Sequence, residues 1–190
     1  MINLSKKLLP CSVEVHGRSY SIHTDFQYFI TFSEMVKKNH NAEDYNFFYD
    51  GLIPSDKIAG FHALASFAFP EKELPKNLGK STDEIILDYE KDADLIYAAF
   101  YHYYNIDLMD SSLHLHWYKF CALLDGLKDT RLNEVMGYRF YEPKQSDGKE
   151  YKEQMLRLKE MWRIEKPLTE EEQSEINKFE KLAGGNHSPE

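Results

Sequence analysis

Positive charge, cysteine and long apolar runs are all scarce in this sequence of 190 residues, and each scarcity excludes a class of protein. The formal net charge of −9 does not suit nonspecific binding to nucleic acid or to an anionic membrane, because both need a basic surface. No stretch approaches the ~20 apolar residues of a membrane span, and no apolar run follows the lysines of the N-terminal MINLSKKLLP. We therefore expect a soluble, unprocessed protein that binds neither nucleic acid nor membranes.

The two cysteines, Cys11 and Cys121, lie far apart and outside any C-x-x-C pattern. A disulfide framework is therefore not expected, and a reducing cytosol is the natural setting. The sequence also lacks a Walker loop, a dinucleotide-binding fingerprint, H-E-x-x-H and G-x-S-x-G. These absences argue against the common enzyme classes, and no cofactor is expected.

Aromatic residues, in contrast, are abundant: the chain has thirteen Tyr, twelve Phe and two Trp. With 42% hydrophobic and 29% charged residues, the composition is that of a globular protein and is too apolar for a disordered one. The length suits one domain with a single core. Large rings are expected to fill that core or a contact surface.

Local patterns predict a β-hairpin followed by helices. Apolar residues alternate over residues 12–23 around a His-Gly pair, where glycine tolerates the positive φ of a tight turn. Thr24 and Gln27 form a capping-box pattern that opens a helix ending near Lys38. Ser55 is a suitable cap for a second helix.

Two more helices are predicted in the middle of the chain. Ser81 and Glu84 form another capping-box pattern, which opens about five turns of helix that end at Tyr104 with the aromatic run AAFYHYY. Good caps at positions 110–112 begin a helix through LHLHWYKFCALLDGL, residues 113–127, in which apolar residues recur at spacings of four and three.

After a short helix predicted over residues 130–138, the composition changes. The segment EPKQSDGK has the composition of a linker, and a mixed-charge helix is predicted after it over residues 150–166. Thr169 and Glu172 then open an acidic helix, and the final residues, 183–190, are expected to be loose.

These patterns together predict a mainly α-helical bundle with a short N-terminal β-hairpin and a C-terminal helical extension. We divide it into a hairpin and helical core domain at residues 1–141 and a C-terminal part at residues 142–190. The second part contains the linker, the C-terminal helices and the loose tail.

The pair His114 and His116 raises the question of a metal site. On the predicted helix the two imidazoles point about 200° apart around the axis, which argues against a shared metal ion. A zinc site built from His102, one of this pair and Cys121 is an alternative, but its spacing matches no known ligand pattern. The simpler interpretation places one imidazole at the edge of the core and the other in solvent, so no metal site is predicted.

Catalysis by Cys121 would need an exposed thiol beside a base, yet Cys121 follows Phe120 on or near the predicted apolar stripe. Free cysteines are among the most buried residues, so a structural role is favoured. The thirty-two acidic residues place carboxylates close together by chance, and no pair stands out as general acid and base. No catalytic residue is predicted.

Two apolar surfaces are candidates for binding a partner. One is a stripe on the C-terminal helix, which consists of Tyr151, Met155, Leu158 and Trp162 with Met161 beside it. This helix either folds back onto the core domain or docks on a helix of another protein, with adaptable methionine and an anchoring tryptophan. The other surface is the aromatic end of the predicted helix that finishes at Tyr104. Its candidate contact residues are Phe100, Tyr103 and Tyr104.

A longer pattern carries a family resemblance. Residues 98–139 contain Tyr-Asn-Ile-Asp-Leu at 104–108, His-Trp-Tyr-Lys-Phe at 116–120, the pairs Leu123-Leu124 and Gly126-Leu127, and a closing Arg139. This segment resembles the bacteriophage gene-product-fifteen family, to which the N-terminal strand pair, the Lys- and Glu-rich C-terminal helix and the overall length are similar too. The signature core is expected to contain Ile106, Leu108, His116, Trp117, Phe120 and Leu124. Asn105 stands where many relatives have a turn glycine, and asparagine also accepts left-handed conformations.

The resemblance implies a tail gene of long, noncontractile-tailed phages or prophages of Gram-positive bacteria. Such proteins are expected to act in the host cytoplasm as noncatalytic tail-assembly chaperones, which coat the tape-measure protein until tail-tube subunits polymerise around it. The implied partner is the tape-measure protein. A second chaperone, the tail-tube protein and a second copy of the chain are further candidates. The alternatives are a structural tail or adaptor protein retained in the virion and a small metal-dependent enzyme.

Overall fold

A computed structural model of the protein describes residues 2–70 and 85–165. The elements within these residues are β1 (Ser12–Val15), β2 (Arg18–Ser21), α1 (Phe26–Lys37), a 3-10 helix (Ala42–Phe48), α2 (Lys57–Ala68), α3 (Ala93–Tyr104), α4 (Trp117–Gly126), α5 (Arg131–Phe140) and α6 (Lys149–Met161). The predicted mainly α-helical fold with a short N-terminal hairpin is therefore confirmed. No helix in the described part of the chain has both the length and the apolar character that a membrane span requires.

Some predicted features lie outside the described residues. They are the capping box of Ser81 and Glu84, the acidic helix at Thr169 and Glu172, and the tail at residues 183–190.

β1 and β2 pair antiparallel as predicted, and both residues of the connecting His-Gly turn have positive φ, 51° and 75°. A type I′ turn needs positive φ at both central positions, which explains the glycine at one of them. The chain after β2 extends the pairing, because Ile22 forms a bridge with Tyr49 and Asp25 forms one with His116. The N-terminal segment therefore joins the 3-10 helix to the start of α4.

The first two helices begin slightly later than predicted. Asp25 rather than Thr24 precedes α1, and its carboxylate accepts the Leu115 N–H at 3.1 Å instead of capping the helix. Asp56 rather than Ser55 caps α2, with the Ala59 N–H donating to its carboxylate at 3.0 Å. Aspartate and serine are equally good caps, so the sequence alone could not choose between neighbouring candidates.

The next two helices are shorter than predicted. α3 begins at Ala93, because the preceding residues form turns in which the Asp88 carboxylate accepts the N–H of Lys91 at 2.9 Å. α4 begins at Trp117 rather than near residue 113, with His116 as its N-cap. The Trp117 N–H donates to the Thr24 carbonyl at 2.7 Å, so pairing with a distant segment replaces the first predicted helical turn.

Aromatic rings form the centre of the fold. The ring of Phe120 stacks on those of Phe26, Phe100 and Trp117, with centroid distances of 4.9, 5.1 and 5.7 Å. The buried indole of Trp117 donates its Nε1–H to the Ala68 carbonyl at 2.8 Å. These contacts join α1, α2, α3 and α4 around one aromatic core.

α5 and α6 pack on each other as a helical hairpin beside this core. Thr130 and Asn133 cap α5 in a capping box, and α5 buries Leu132 and Val135. α6 packs on α5 but contains no buried residue of its own. The C-terminal helix therefore folds back onto the rest of the protein through α5, which was one of its two predicted arrangements.

Candidate protein-interaction surface

The two histidines of the LHLHWYKFCALLDGL stretch make different contacts: His116 binds backbone groups and the exposed His114 lies beside a carboxylate. His116 Nδ1 accepts the Tyr118 N–H at 3.0 Å, and Nε2 donates to the Pro10 carbonyl at 3.0 Å. Both contacts fit the neutral tautomer, and burial lowers the pKa of His116. His114 Nδ1 lies 3.3 Å from Asp25 Oδ2. Across residues 2–70 and 85–165, no cluster of three or more His, Cys, Asp or Glu side chains could hold a metal ion.

Cys121 is half-buried on α4, which is less burial than its place near the apolar stripe predicts. It lines a pocket of about 470 Å³ together with Tyr89 and Tyr118. Burial raises the pKa of Tyr118 to about 12 and raises that of Tyr89 as well. These two hydroxyl groups therefore stay neutral at physiological pH. Cys121 forms no disulfide with Cys11.

A buried ion pair, which the sequence patterns did not reveal, joins α5 to the start of α3. Arg139 and Asp92 form two hydrogen bonds of 2.7 and 2.8 Å, and their side chains are 5% and 2% exposed. The guanidinium also donates to the carbonyls of Ile86 at 3.0 Å and of Trp162 at 2.7 Å. Asp92 also accepts the Asp88 N–H at 3.0 Å. The pair is therefore well satisfied and fixes where α5 and the end of α6 lie.

The end of α6 is held by α5 on both its backbone and its side chain. The Trp162 carbonyl accepts from Arg139, and the Arg131 guanidinium lies over the indole, 5.4 Å from the ring centroid. Lys159 Nζ donates to the Tyr141 carbonyl at 2.8 Å. Arg131 therefore covers an indole face that the sequence analysis assigned to a partner.

Asp147 shapes the loop between α5 and α6. Its Oδ2 accepts from the Lys144 N–H and from the Tyr141 hydroxyl, both at 2.9 Å. These hydrogen bonds, that of Lys144 first, hold the pKa of Asp147 below its ordinary value. Burial and the Asp147 carboxylate raise the pKa of Tyr141 to about 12. The predicted linker is therefore a hydrogen-bonded loop that returns the chain to α5, on which α6 packs.

An open groove of about 590 Å³ lies between α5 and α6, and we call it the α5/α6 groove. Its uncharged lining consists of Gly137, Tyr138, Phe140, Tyr141, Tyr151 and Met155. The charged residues that line it are Glu134, Glu142, Lys144 and Asp147. Phe140 and Tyr151 are 53% and 51% exposed, and the rings of Tyr141 and Tyr151 meet edge to face at 5.9 Å. These exposed rings beside an open groove make it a candidate interaction surface.

The structure divides the stripe predicted on the C-terminal helix. Tyr151 and Met155 line the α5/α6 groove, whereas Met161 is exposed outside it. Leu158 and Trp162 are half-buried. Sequence reasoning missed the side of the groove that α5 provides, namely Gly137, Phe140 and Tyr141. The available signal was a glycine inside a helical pattern, followed by two adjacent aromatic residues before the loop.

The aromatic end of α3 is only partly on the surface. Tyr103 is exposed, and Tyr104 is half-buried with its hydroxyl donating to the Leu123 carbonyl at 2.8 Å. Phe100 is wholly buried in the aromatic core, where it packs on Phe120. Phe100 therefore belongs to the core in this structure and is not available on the surface to a partner.

Comparison with known protein families identifies the family of this chain. A family model described as Bacteriophage Gp15 protein matches residues 4–164. The protein belongs to this family. Membership in the Gp15 family indicates a structural or morphogenetic role in a bacteriophage, and it agrees with the resemblance seen over residues 98–139. No curated protein and no solved structure gives a significant match.

The residues that carry the Gp15 resemblance are mainly structural. Leu108, Trp117 and Phe120 are buried, and Ile106, His116 and Leu124 are half-buried. Asn105 ends α3 with φ 52° and ψ 38°, the left-handed conformation that the turn requires and that glycine would also adopt. The closing Arg139 of the signature is the centre of the buried ion pair.

Proposed function

We propose that the protein is a noncatalytic tail-assembly chaperone, which binds the tape-measure protein in the host cytoplasm and keeps it soluble until tail-tube subunits polymerise around it. The α5/α6 groove is the observation that supports this proposal, because it exposes aromatic and methionine side chains on an acidic member of the Gp15 family. A tape-measure helix has long apolar faces, which aggregate unless another surface covers them.

The chemistry of the groove fits a reversible binder of apolar helices. Tyrosine, phenylalanine and methionine give contact area without a strict register, so one groove can bind many similar helical turns. The net charge of −9 adds solubility to a complex with an apolar partner. A second chaperone and the tail-tube protein are additional proposed partners, which would act when the tape measure is released.

The test is co-expression with the long, coiled-coil-rich protein that is encoded next to this one. We expect the neighbour to be insoluble alone and to co-purify in a soluble complex with the wild-type chain. A double variant, Phe140→Ser with Tyr151→Ser, should lose most of this solubilisation and bind at least about tenfold more weakly, which corresponds to ~1.4 kcal/mol. Co-purification and the soluble fraction of the neighbour are the measurements.

The matched control is the double variant Leu52→Ser with Ile58→Ser, which changes two side chains, 64% and 66% exposed, that do not line the groove. This control should solubilise the neighbour as well as the wild-type chain does. If the wild-type chain neither binds nor solubilises the neighbour, the chaperone proposal is wrong. Detection of the chain in purified virions by mass spectrometry would then favour the structural tail or adaptor role.

A further inference from the structure

Gly137 is a glycine in the middle of a helix, and no packing within residues 2–70 and 85–165 explains it. It lies within α5, and a Cβ atom added there would meet no neighbouring atom of these residues within 4 Å. Glycine inside a helix is less favourable than alanine, because it loses more backbone freedom on folding. Because glycine has no side chain, it lets another group approach the helix backbone closely, and Gly137 lines the α5/α6 groove.

The charges along the groove indicate what that group is. Three carboxylates, those of Glu134, Glu142 and Asp147, line the groove with one ammonium, that of Lys144. Glu134 is paired with Arg131, and Asp147 is held in its ionised form by hydrogen bonds from Lys144 N–H and Tyr141 and by the nearby charges of Lys152 and Lys144. Three of the four charged side chains that line the groove are nevertheless acidic. The groove therefore presents aromatic rings between negative charges, which complement an apolar stripe with basic residues beside it.

We infer that the α5/α6 groove binds an amphipathic helix of a partner protein, whose small and apolar residues lie over Gly137 and whose flanking Lys or Arg residues face the groove carboxylates. This inference deepens the proposed function and rests on it for the identity of the partner. It specifies the site and the chemistry of the tape-measure segment that the site selects.

The same charge argument disfavours the two other occupants of an apolar groove. Residues 166–190 of the chain contain six glutamates and three lysines, so this segment would bring more negative charge to the acidic groove. A second copy of the chain, with a net charge of −9, would do the same. A basic partner helix relieves this repulsion, whereas either acidic occupant would increase it.

The groove can be filled without disturbing the fold, because a side chain at Gly137 enters open space. Gly137→Gln should block a partner helix and, as glutamine is a good helix former, raise the melting temperature by about 2–4 °C. Gly137→Ala adds a single methyl group. It should also raise the melting temperature and weaken binding of the partner helix, with a smaller loss of binding than Gly137→Gln. Ser66→Leu, at an exposed position of α2, is the matched control for adding a side chain to a helix surface.

The experiment is a fluorescence-anisotropy titration with the full chain and two labelled synthetic peptides of about 18 residues, which are long enough to be helical alone. Both peptides have the same Ala and Leu stripe, and the flanks are Lys in one and Glu in the other. We expect the wild-type chain and Ser66→Leu to bind the Lys peptide at least tenfold more tightly than the Glu peptide. Gly137→Gln should lose at least tenfold in affinity for the Lys peptide, and Gly137→Ala severalfold.

Several results would overturn the inference. They are failure of the wild-type chain to bind the Lys peptide, equal binding of both peptides, and unchanged binding by a folded Gly137→Gln variant. A wild-type dimer that Gly137→Gln converts to a monomer in sedimentation would assign the groove to a second copy instead. Because these peptides contain no tape-measure sequence, a failure here is distinguishable from failure of the neighbour to co-purify, which concerns the proposed function alone.

Discussion

The aromatic core and the α5/α6 hairpin use similar residues in opposite ways. In the core, Phe100, Trp117 and Phe120 are buried, and the ring of Phe120 stacks on the rings of the other two. In the hairpin, Phe140 and Tyr151 are about half exposed, and α6 buries no residue. Burial of rings therefore accounts for the stability of the core, whereas the hairpin is held by the buried aliphatic side chains of α5 together with directional polar contacts. The hairpin should consequently tolerate changes that the core does not.

The two tryptophans give the sharpest test of this contrast. Trp117→Ala should lower the free energy of unfolding by ~3–5 kcal/mol, because it removes a fully buried ring and leaves a cavity. Trp162→Ala should cost only about 1–2 kcal/mol, because it removes a half-buried ring and its contact with Arg131. Urea denaturation of the two variants beside the wild-type chain measures both values. Equal losses would show that α6 belongs to the same cooperative core.

The buried ion pair should give the next largest effect. Arg139→Met leaves the Asp92 carboxylate buried without its partner, and we expect a loss of roughly 3 kcal/mol in the free energy of unfolding. The additional change Asp92→Leu removes that charge, so the double variant should be more stable than Arg139→Met alone. Thermal and urea denaturation of the single and double variants form the measurement. A double variant less stable than the single one would contradict this account.

The sequence predicted a local feature well where that feature depends on the conformational preference of a single residue type. The His-Gly turn and the left-handed Asn105 are examples, because a positive φ depends on the local residue type alone. The predicted start of α4 was wrong, because pairing of Trp117 with Thr24 decides it across a long stretch of chain. Periodicity could not report such a distant partner.

The candidate site was only half predictable for a similar reason. The helical stripe identified Tyr151 and Met155, which line the groove. Phe140 and Gly137 come from the other helix, and nothing in either local pattern indicates that α5 and α6 lie side by side. The decisive contact is the buried pair of Arg139 with Asp92, two charged residues whose type suggests solvent exposure. Local patterns therefore predicted the fold class, whereas the polar contacts that place the hairpin required the structure.

Lowering the pH should weaken the loop of the hairpin and leave the core unaffected. This is the smallest of the expected effects. The pKa of Asp147 lies below its ordinary value of 3.8 in the folded protein, so its hydrogen bonds stabilise the loop above that value. This contribution is lost as the pH falls through the folded-state pKa. Hydrogen exchange of α6 amides should therefore be faster in Asp147→Ala than in the wild-type chain at pH 7, and the difference should shrink towards pH 3.

Asp110→Ala is the matched control for this last prediction. The pKa of Asp110 is also lowered, chiefly by the Ser112 N–H, but Asp110 lies in the segment between α3 and α4 and does not line the groove. Removal of the Asp110 carboxylate should leave the hydrogen exchange of the α6 amides unchanged at both pH values. If both variants accelerate exchange in α6 and in the core alike, the loop does not open separately. The polar contacts would then be part of the same cooperative unit as the aromatic rings.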